Sequence, residues 1–476
     1  MVLRGYQKRA YEAAVTALTG GGGFLLSLEM RTGKTPVSLE VAKHFGVPLL
    51  IVCPKIALPV WRAHIEKLEV KKSISEVYLV HYEALVGRKD VWYKWGDRQE
   101  RRGKGFFMIL DESHYIKTKG TDRSRVVRTI SRRSKYRLAL TGTPIANGLH
   151  DAWAQYDYLG KIFGPWEDTW EGGSDGNLVP GFETTYLIRG GFRNHEIIGY
   201  RNQERFYEIF HRHQFRITLR EAKEEGRKGH MVLKYQKRFF DLTPVSMGIY
   251  ATLQEELEAI VNEKKIKVPN VLSCVAKLQQ ICGGYVIEQI PTGRYTAKGK
   301  AVFKKEVHRI PGESKINLLL DTIGSLPTGR KLIVICRFIH ELEAARKALE
   351  DKGFKVGIVR GGMPYDGKFE DDIICMQIQS GQAVDMSKAD SIIFYSLDYS
   401  YINFEQSRFR ILNYDKNFGK YIFLLARNTI DEVIYAAVKT KKRVADLVID
   451  RFRKRLKYHG KSKQTYREPQ GQIEIS

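Results

Sequence analysis

Gly33, Lys34 and Thr35 stand between an apolar run, Phe24-Leu25-Leu26-Ser27-Leu28, and a stretch patterned as a helix from Pro36 to Lys43. That order describes the end of a phosphate-binding loop. Glycine lets backbone N–H groups approach phosphate oxygens, lysine supplies a cation for the β and γ oxygens, and a threonine hydroxyl can ligate Mg²⁺. A second apolar run, Gly105-Phe106-Phe107-Met108-Ile109-Leu110, ends in Asp111-Glu112-Ser113-His114. An acid at the C-terminal end of a strand can hold Mg²⁺, and its neighbour can polarise an attacking water. Alone, Gly-Lys-Thr is an ordinary helix start and Asp-Glu a solvated pair. Both motifs, in this order and each after a strand, point to a nucleoside triphosphatase site. His81, His114, His211 and His213 lack the partner set of a metal site.

These residues need elements to hold them. Residues 1–150 alternate strand-like and helix-like segments. Leu49–Cys53, Val77–Val80 and Tyr136–Leu140 are strand-like, and the last runs into Thr141-Gly142-Thr143-Pro144. Alternation of this kind predicts an α/β fold with a parallel sheet covered on both faces. Residues 151–235 are dense in aromatics and charges and predict a largely helical insertion, with an exposed loop at Glu171–Asn177. Residues 236–310 predict further helices, followed by a lysine-rich hairpin or loop near 292–305. A second alternating region covers 311–437 and has no phosphate loop of its own, so one nucleotide is expected in the cleft between two α/β halves. Residues 438–476 form a basic helix and tail.

The chain has 476 residues, enough for about three domains. Hydrophobic residues make up 43%, and no run approaches the ~18–20 apolar residues of a membrane span. Neither a membrane nor a signal segment is expected. Five scattered cysteines predict reduced, structural thiols and a cytoplasmic location. The net charge of +25 favours a polyanionic partner, most simply nucleic acid.

The motif order resembles the Swi/Snf-type branch of superfamily-two helicases, in a compact form such as bacteria and their viruses encode. A viral chain would work in the bacterial host's cytoplasm. The likeness spans Leu3 to about Asn413. It implies two RecA-like parallel-sheet lobes with helical protrusions inserted between them. It also implies ATP and Mg²⁺ as cofactors, and DNA, duplex or branched, as partner, with a monomer favoured. Gln7 resembles the adenine reader. Arg31, Thr32, Gly33, Lys34 and Thr35 correspond to the phosphate loop, and Gly381 to the fifth motif. Thr35 and Asp111 correspond to the metal ligands. Lys55 and Trp61 lie where the family touches the DNA backbone, while Thr141, Gly142 and Thr143 match its coupling motif.

Glu405-Gln406-Ser407-Arg408-Phe409-Arg410 resembles the sixth motif, which the family places at a helix start. Lys34, Asp111, Glu112, Arg410 and Arg408 are therefore the expected catalytic residues. Several positions depart from the family pattern. Leu28 and Ala383 stand where glycine is usual. Arg31 replaces a small loop residue and suggests an added phosphate contact. Asn413 falls where the second arginine of the sixth motif belongs. The expected activity is ATP-driven translocation on DNA. The alternatives are a strand-separating helicase on DNA or RNA, and a catalytically weak nucleic-acid-binding scaffold.

Overall fold

The helix Gly5–Leu18 buries Tyr6, Ala10, Ala14 and Leu18, the four-residue spacing that lines one helical face. It leads into β1 (Gly22–Leu28), the first strand of a parallel sheet. The structure is a computed structural model. It describes residues 3–103, 105–145, 148–160, 181–190, 196–262, 268–295, 301–312, 314–327, 329–361, 370–380, 386–440, 444, 447 and 448.

The next strands are β2 (Leu49–Cys53), β3 (Val77–His81), β4 (Phe107–Asp111) and β5 (Tyr136–Leu140). A short antiparallel pair follows, β6 (Leu187–Gly190) with β7 (Glu196–Tyr200), and then β8 (Gln214–Ile217). The sheet order is β3-β2-β4-β5-β1-β8, with every neighbouring pair parallel. Alternate residues of each strand enter two different cores. Leu25, Leu50, Val52, Met108 and Leu110 join one. Leu26, Leu49, Ile51, Phe107 and Ile109 join the other. A strand buried on both faces must be apolar throughout, which is why these runs read as continuous hydrophobics. Each such side chain contributes roughly 1.5–3 kcal/mol on burial.

The second sheet takes β9 (Val232–Phe240) and β12 (Leu332–Cys336), then β13 (Val356–Val359), β14 (Ile373–Gln377), β15 (Ser391–Phe394) and β16 (Phe418–Ala426). Its order is β13-β14-β12-β15-β16-β9. The pairs β13–β14, β14–β12 and β12–β15 are parallel. The expected α/β class with two parallel-stranded sheets therefore holds.

The chain packs as two compact units. One comprises residues 1–236, 327–394 and 400–422, and the other residues 237–326, 395–399 and 423–476. The second unit contains the helices Pro244–Asn262, Val268–Cys282, Ser314–Gly324 and Ile430–Thr440, and the antiparallel ribbon β10 (Tyr285–Tyr295) with β11 (Ala301–Arg309). Within it, Lys315 and Asp431 form a buried ion pair at 3.0 Å. The Asp431 carboxylate also accepts from the Ala426 N–H at 3.3 Å, so the buried charge is hydrogen-bonded as well as paired.

One expectation changes. Residues 151–235 are not purely helical, since β6, β7 and β8 lie there and β8 completes the first sheet beside β1. The hairpin expected near 292–305 is present as the ribbon β10–β11, described at residues 292–295 and 301–305. All five cysteines are buried and none is joined in a disulfide. Among the described residues no helix is long and apolar enough to cross a membrane. Glu171–Asn177, Ala146, Asn147, Gly381 and Ala383 lie outside the described residues, as does most of the basic C-terminal stretch.

Candidate active site

Parallel pairing sets the C-terminal ends of β1 and β4 along one edge of the first sheet, the edge where α/β folds bind ligands. After β1 the chain turns through Glu29–Thr32. Gly33 then adopts a left-handed conformation (φ 86°) and caps the helix Lys34–Phe45. A glycine is required here, both for its φ and because a Cβ would collide with the Gln7 amide. Gln7 holds the loop in place. Its Nε2 donates to the Thr32 carbonyl at 3.0 Å, and its Oε1 accepts from the Arg4 N–H at 3.0 Å. The Thr32 hydroxyl donates to the Glu29 carbonyl at 2.6 Å. Lys34 Nζ donates to the Leu28 carbonyl at 3.0 Å. Thr35 follows in the first helical turn, half-buried.

Asp111 closes β4 and is buried. Its carboxylate accepts from the Trp61 indole N–H at 2.8 Å and from the Glu112 N–H at 3.1 Å. Burial and the adjacent Glu112 charge push the Asp111 carboxyl above the usual carboxylate range, against the pull of Trp61 and Lys34. Glu112 goes the other way. Burial alone would raise it, but His114 and the charges of Lys34 and Arg410 hold it below the usual range. The backbone at Glu112 is left-handed (φ 50°), as it is at Arg31 (φ 67°). Neither residue is a glycine, so both conformations cost energy and are held by their surroundings. Two neighbouring carboxyls pushed apart in this way take different roles. Asp111 is a buried carboxylate whose hydrogen bonds come from neutral donors, which suits it to a divalent cation. Glu112 stays ionised and is suited to orient water. Glu112→Gln should bind nucleotide as the native chain does yet hydrolyse it roughly 10²–10⁴-fold more slowly, because the amide no longer accepts a proton. Binding of a fluorescent nucleotide set beside single-turnover hydrolysis checks this, and native turnover would move the role to another residue.

The acidic motif connects to Thr141-Gly142-Thr143-Pro144 by two routes. His114 Nδ1 lies 3.3 Å from the Thr141 hydroxyl and 3.3 Å from the Glu112 carboxylate. Ser113 donates to Gln155 Oε1 at 2.6 Å, and Gln155 Nε2 donates to the Pro144 carbonyl at 2.7 Å. Thr141 also accepts from the Thr143 N–H at 3.1 Å. The Gly142 Cα packs close to the phosphate loop, where an added Cβ would sit 3.5 Å from backbone atoms of Leu28, Glu29 and Met30. Lys55 is exposed just past β2. Beside His114 a cavity of about 750 Å³ is lined by Tyr115, Lys117, Thr118, Arg123 and Ser400.

The sixth-motif residues belong to the same compact unit. The helix Tyr401–Arg408 is capped at its start by the Ser400 hydroxyl, which accepts from the Asn403 N–H at 3.2 Å. It ends at Arg408, so this motif sits at a helix end rather than the expected start, and Arg410 lies two residues beyond. Arg408 is engaged by the Glu405 carboxylate at 2.5 Å and by the Tyr235 hydroxyl. Arg410 is buried, and its charge acts on Glu112. The two arginines thus serve different neighbours. Asn413 stands in a turn, its side-chain oxygen accepting from the N–H groups of Asp415 (2.9 Å) and Lys416 (2.8 Å). Arg31 donates to the carbonyls of Phe409 (3.4 Å) and Arg410 (3.1 Å), joining the phosphate loop to the segment that carries Arg410.

Sequence reasoning missed Gln155 and the hold of Trp61 on Asp111. A tryptophan in a motif assigned to DNA contact, yet buried to 1% exposure, shows that its indole N–H serves the site instead.

A glycine-lysine-threonine turn after the first strand of a parallel sheet, with an acidic pair at the end of another strand of that sheet, is the arrangement that P-loop nucleotide-binding proteins use. Residues 75–284 match the family model described as SNF2-related domain. The chain is 20% identical over 496 aligned positions to the human SWI/SNF-related matrix-associated actin-dependent regulator of chromatin subfamily A member 1, covering 95% of this chain and 44% of that protein. It is 29% identical over 191 positions to the ISWI chromatin-remodeling complex ATPase ISW2 of Saccharomyces cerevisiae, covering 35% of this chain and 17% of that protein. The Sulfolobus solfataricus SWI2/SNF2 ATPase core in complex with dsDNA is similar at 18% identity and a TM-score of 0.37, over 92% of this chain and 91% of that one. The chain spans less than half the length of these curated relatives. The sequence matches are thus to SNF2-related proteins, at 20–29% identity.

Proposed function

We propose that the chain is an ATP-dependent translocase on DNA that hydrolyses ATP between the phosphate loop and the Arg410 segment. The observation that carries this reading is the link between the two segments: Arg31 of the loop donates to the carbonyls of Phe409 (3.4 Å) and Arg410 (3.1 Å). Beside that link, the charges of Lys34, at the start of the helix after β1, and of Arg410 both favour the ionised form of Glu112, the carboxylate suited to orient water. Lys34 and Arg410 would neutralise charge developing on the γ-phosphate. Mg²⁺ held by Asp111 and Thr35 would, when bound, screen the phosphates. Gln7 would read the adenine while fixing Thr32. The coupling route from Glu112 through His114 to Thr141 runs beside a cavity lined by Glu83, Lys117 and Arg123, where Arg123 pairs with Glu83 at 2.8 Å and Lys117 lies 3.9 Å from Asp151. Lys55 would meet the DNA backbone. The similarity to a regulator of chromatin and to a chromatin-remodeling ATPase supports DNA as the track.

The deciding experiment measures ATPase activity with duplex, forked, single-stranded DNA and RNA, followed by displacement of a triplex-forming strand from duplex. Duplex-stimulated hydrolysis with triplex displacement is expected. Stimulation by RNA alone, or binding with no hydrolysis, would overturn the reading. Affinity should fall with salt at a slope of about −0.9 per phosphate neutralised.

Arg31 gives a further expectation. Its guanidinium spans two carbonyls around Arg410, so removing it loosens the placement of Arg410 rather than phosphate binding. Arg31→Ala should lower kcat roughly 10-fold with little change in KM. Arg31→Lys should not restore it, because an ammonium lacks the planar fork that reaches two acceptors. A raised KM at unchanged kcat would instead make Arg31 a phosphate ligand.

A further inference from the structure

Among its described residues the ribbon β10–β11 is buried at one end. Tyr285 and Ile310 are buried at its root, and the Ile310 N–H donates to the Gly284 carbonyl at 2.9 Å. From there β10 runs for eleven residues, roughly 35 Å at the usual rise, and is exposed from Pro291 onward. Register fixes what lies at the far end. Pro291 opposes Phe303, and after a bulge Tyr295 opposes Ala301. Residues 301 and 303 are two apart on one strand and share a face, so Tyr295 and Phe303 are diagonal neighbours on that face. The Thr292 hydroxyl fixes the bulge by donating to the Val302 carbonyl at 2.7 Å.

Tyr295 is 72% exposed and Phe303 49% exposed. An isolated two-stranded ribbon is marginally stable at best, and a diagonal aromatic pair adds only about 0.2–1 kcal/mol while leaving both rings largely turned to water. The charge identifies the occupant. Residues 285–309 carry six Lys or Arg against two Glu, so the ribbon is attracted to a polyanion. Exposed aromatics flanked by cations are how proteins hold unpaired bases, since every base offers a face to stack on.

We propose that this ribbon is a strand-parting element, which enters DNA where duplex meets single strand and stacks Tyr295 and Phe303 on the first unpaired bases. This rests on the reading of the chain as a DNA motor and adds to it an activity at forks that translocation alone does not require. The test uses forked DNA with 2-aminopurine at the junction, whose fluorescence rises on unstacking, and needs no nucleotide. The full chain should raise the signal at a fork and not within continuous duplex. The double variant Tyr295→Ala with Phe303→Ala should lose that rise. It should also lose ATP-driven opening of the fork by on the order of ten-fold or more, while duplex-stimulated ATPase stays within about two-fold of native. Tyr295→Phe, which keeps the ring, should behave as native. A native chain that leaves the junction stacked, or a double variant that opens forks as well as native, overturns the proposal. Loss of duplex-stimulated ATPase in the native chain would instead strike the motor reading, because the junction signal is read without ATP.

Discussion

Lys34→Ala is expected to abolish ATP hydrolysis, a loss of at least about 10³-fold, while the protein stays folded and keeps most of its affinity for DNA. The ammonium is half-buried, held by the Leu28 carbonyl, and its charge acts on Glu29, Asp111 and Glu112 together. Removing it withdraws the cation that faces developing charge on the transferred phosphoryl group. It also leaves three acids facing a phosphate chain with less compensation. Alanine is the best helix former, so the first turn of Lys34–Phe45 should tolerate it. Steady-state ATPase and thermal melting, run on one preparation, check both halves. Native-rate hydrolysis would remove Lys34 from the site, whereas a melting transition lowered by tens of degrees would recast it as a structural residue.

The arginines two residues apart should fail in different ways. Arg410→Ala should lower kcat by roughly 10³–10⁵-fold, the range for removal of an arginine finger, with little loss of stability. Its charge reaches Glu112, and the backbone of its segment is held by Arg31. Arg408→Ala should act mainly on stability. Its guanidinium pairs with Glu405 and Tyr235, and its charge also acts on Glu29. Truncating it leaves the buried Glu405 carboxylate unpaired, which costs on the order of 3–5 kcal/mol. The comparison is therefore kcat against melting temperature across both variants. If Arg408→Ala proves the more damaging to kcat at equal foldedness, the finger is Arg408 and the assignment of Arg410 falls.

The site's two chemical motifs were legible because each follows an apolar run of the length a doubly buried strand requires. Phe24–Leu28 and Phe106–Leu110 could be placed in a sheet before any contact was known. The strands β8 and β9 were not legible. Gln214-Phe215-Arg216-Ile217 is half-exposed at a sheet edge, and Val232–Phe240 interleaves lysines and arginine with apolar residues, so neither carries the continuous hydrophobic signature of a central strand. Arg31 suggested a phosphate contact from its position in the loop. Its reach to the carbonyls of Phe409 and Arg410 joins residues nearly 380 positions apart, and no local spacing encodes that. The same holds for Trp61 with Asp111 and Ser113 with Gln155. The sixth motif was legible as a set of residues but not as a shape. The capping hydroxyl of Ser400 sets the helix start well before the arginines, and Asn413 is occupied in holding a turn.

Arg31 and Glu112 have a consequence for how such a chain changes over generations. Each is an ordinary L-residue in a left-handed backbone conformation that glycine adopts without strain. Drift toward glycine at either position would relieve that strain but raise the entropy of the unfolded chain and remove side-chain contacts, the hydrogen bonds of Arg31 to Phe409 and Arg410 and the approach of Glu112 to His114. These two positions therefore hold strained residues whose side chains are used, and a glycine at 31 or 112 trades backbone ease for the loss of a tie or of a charge.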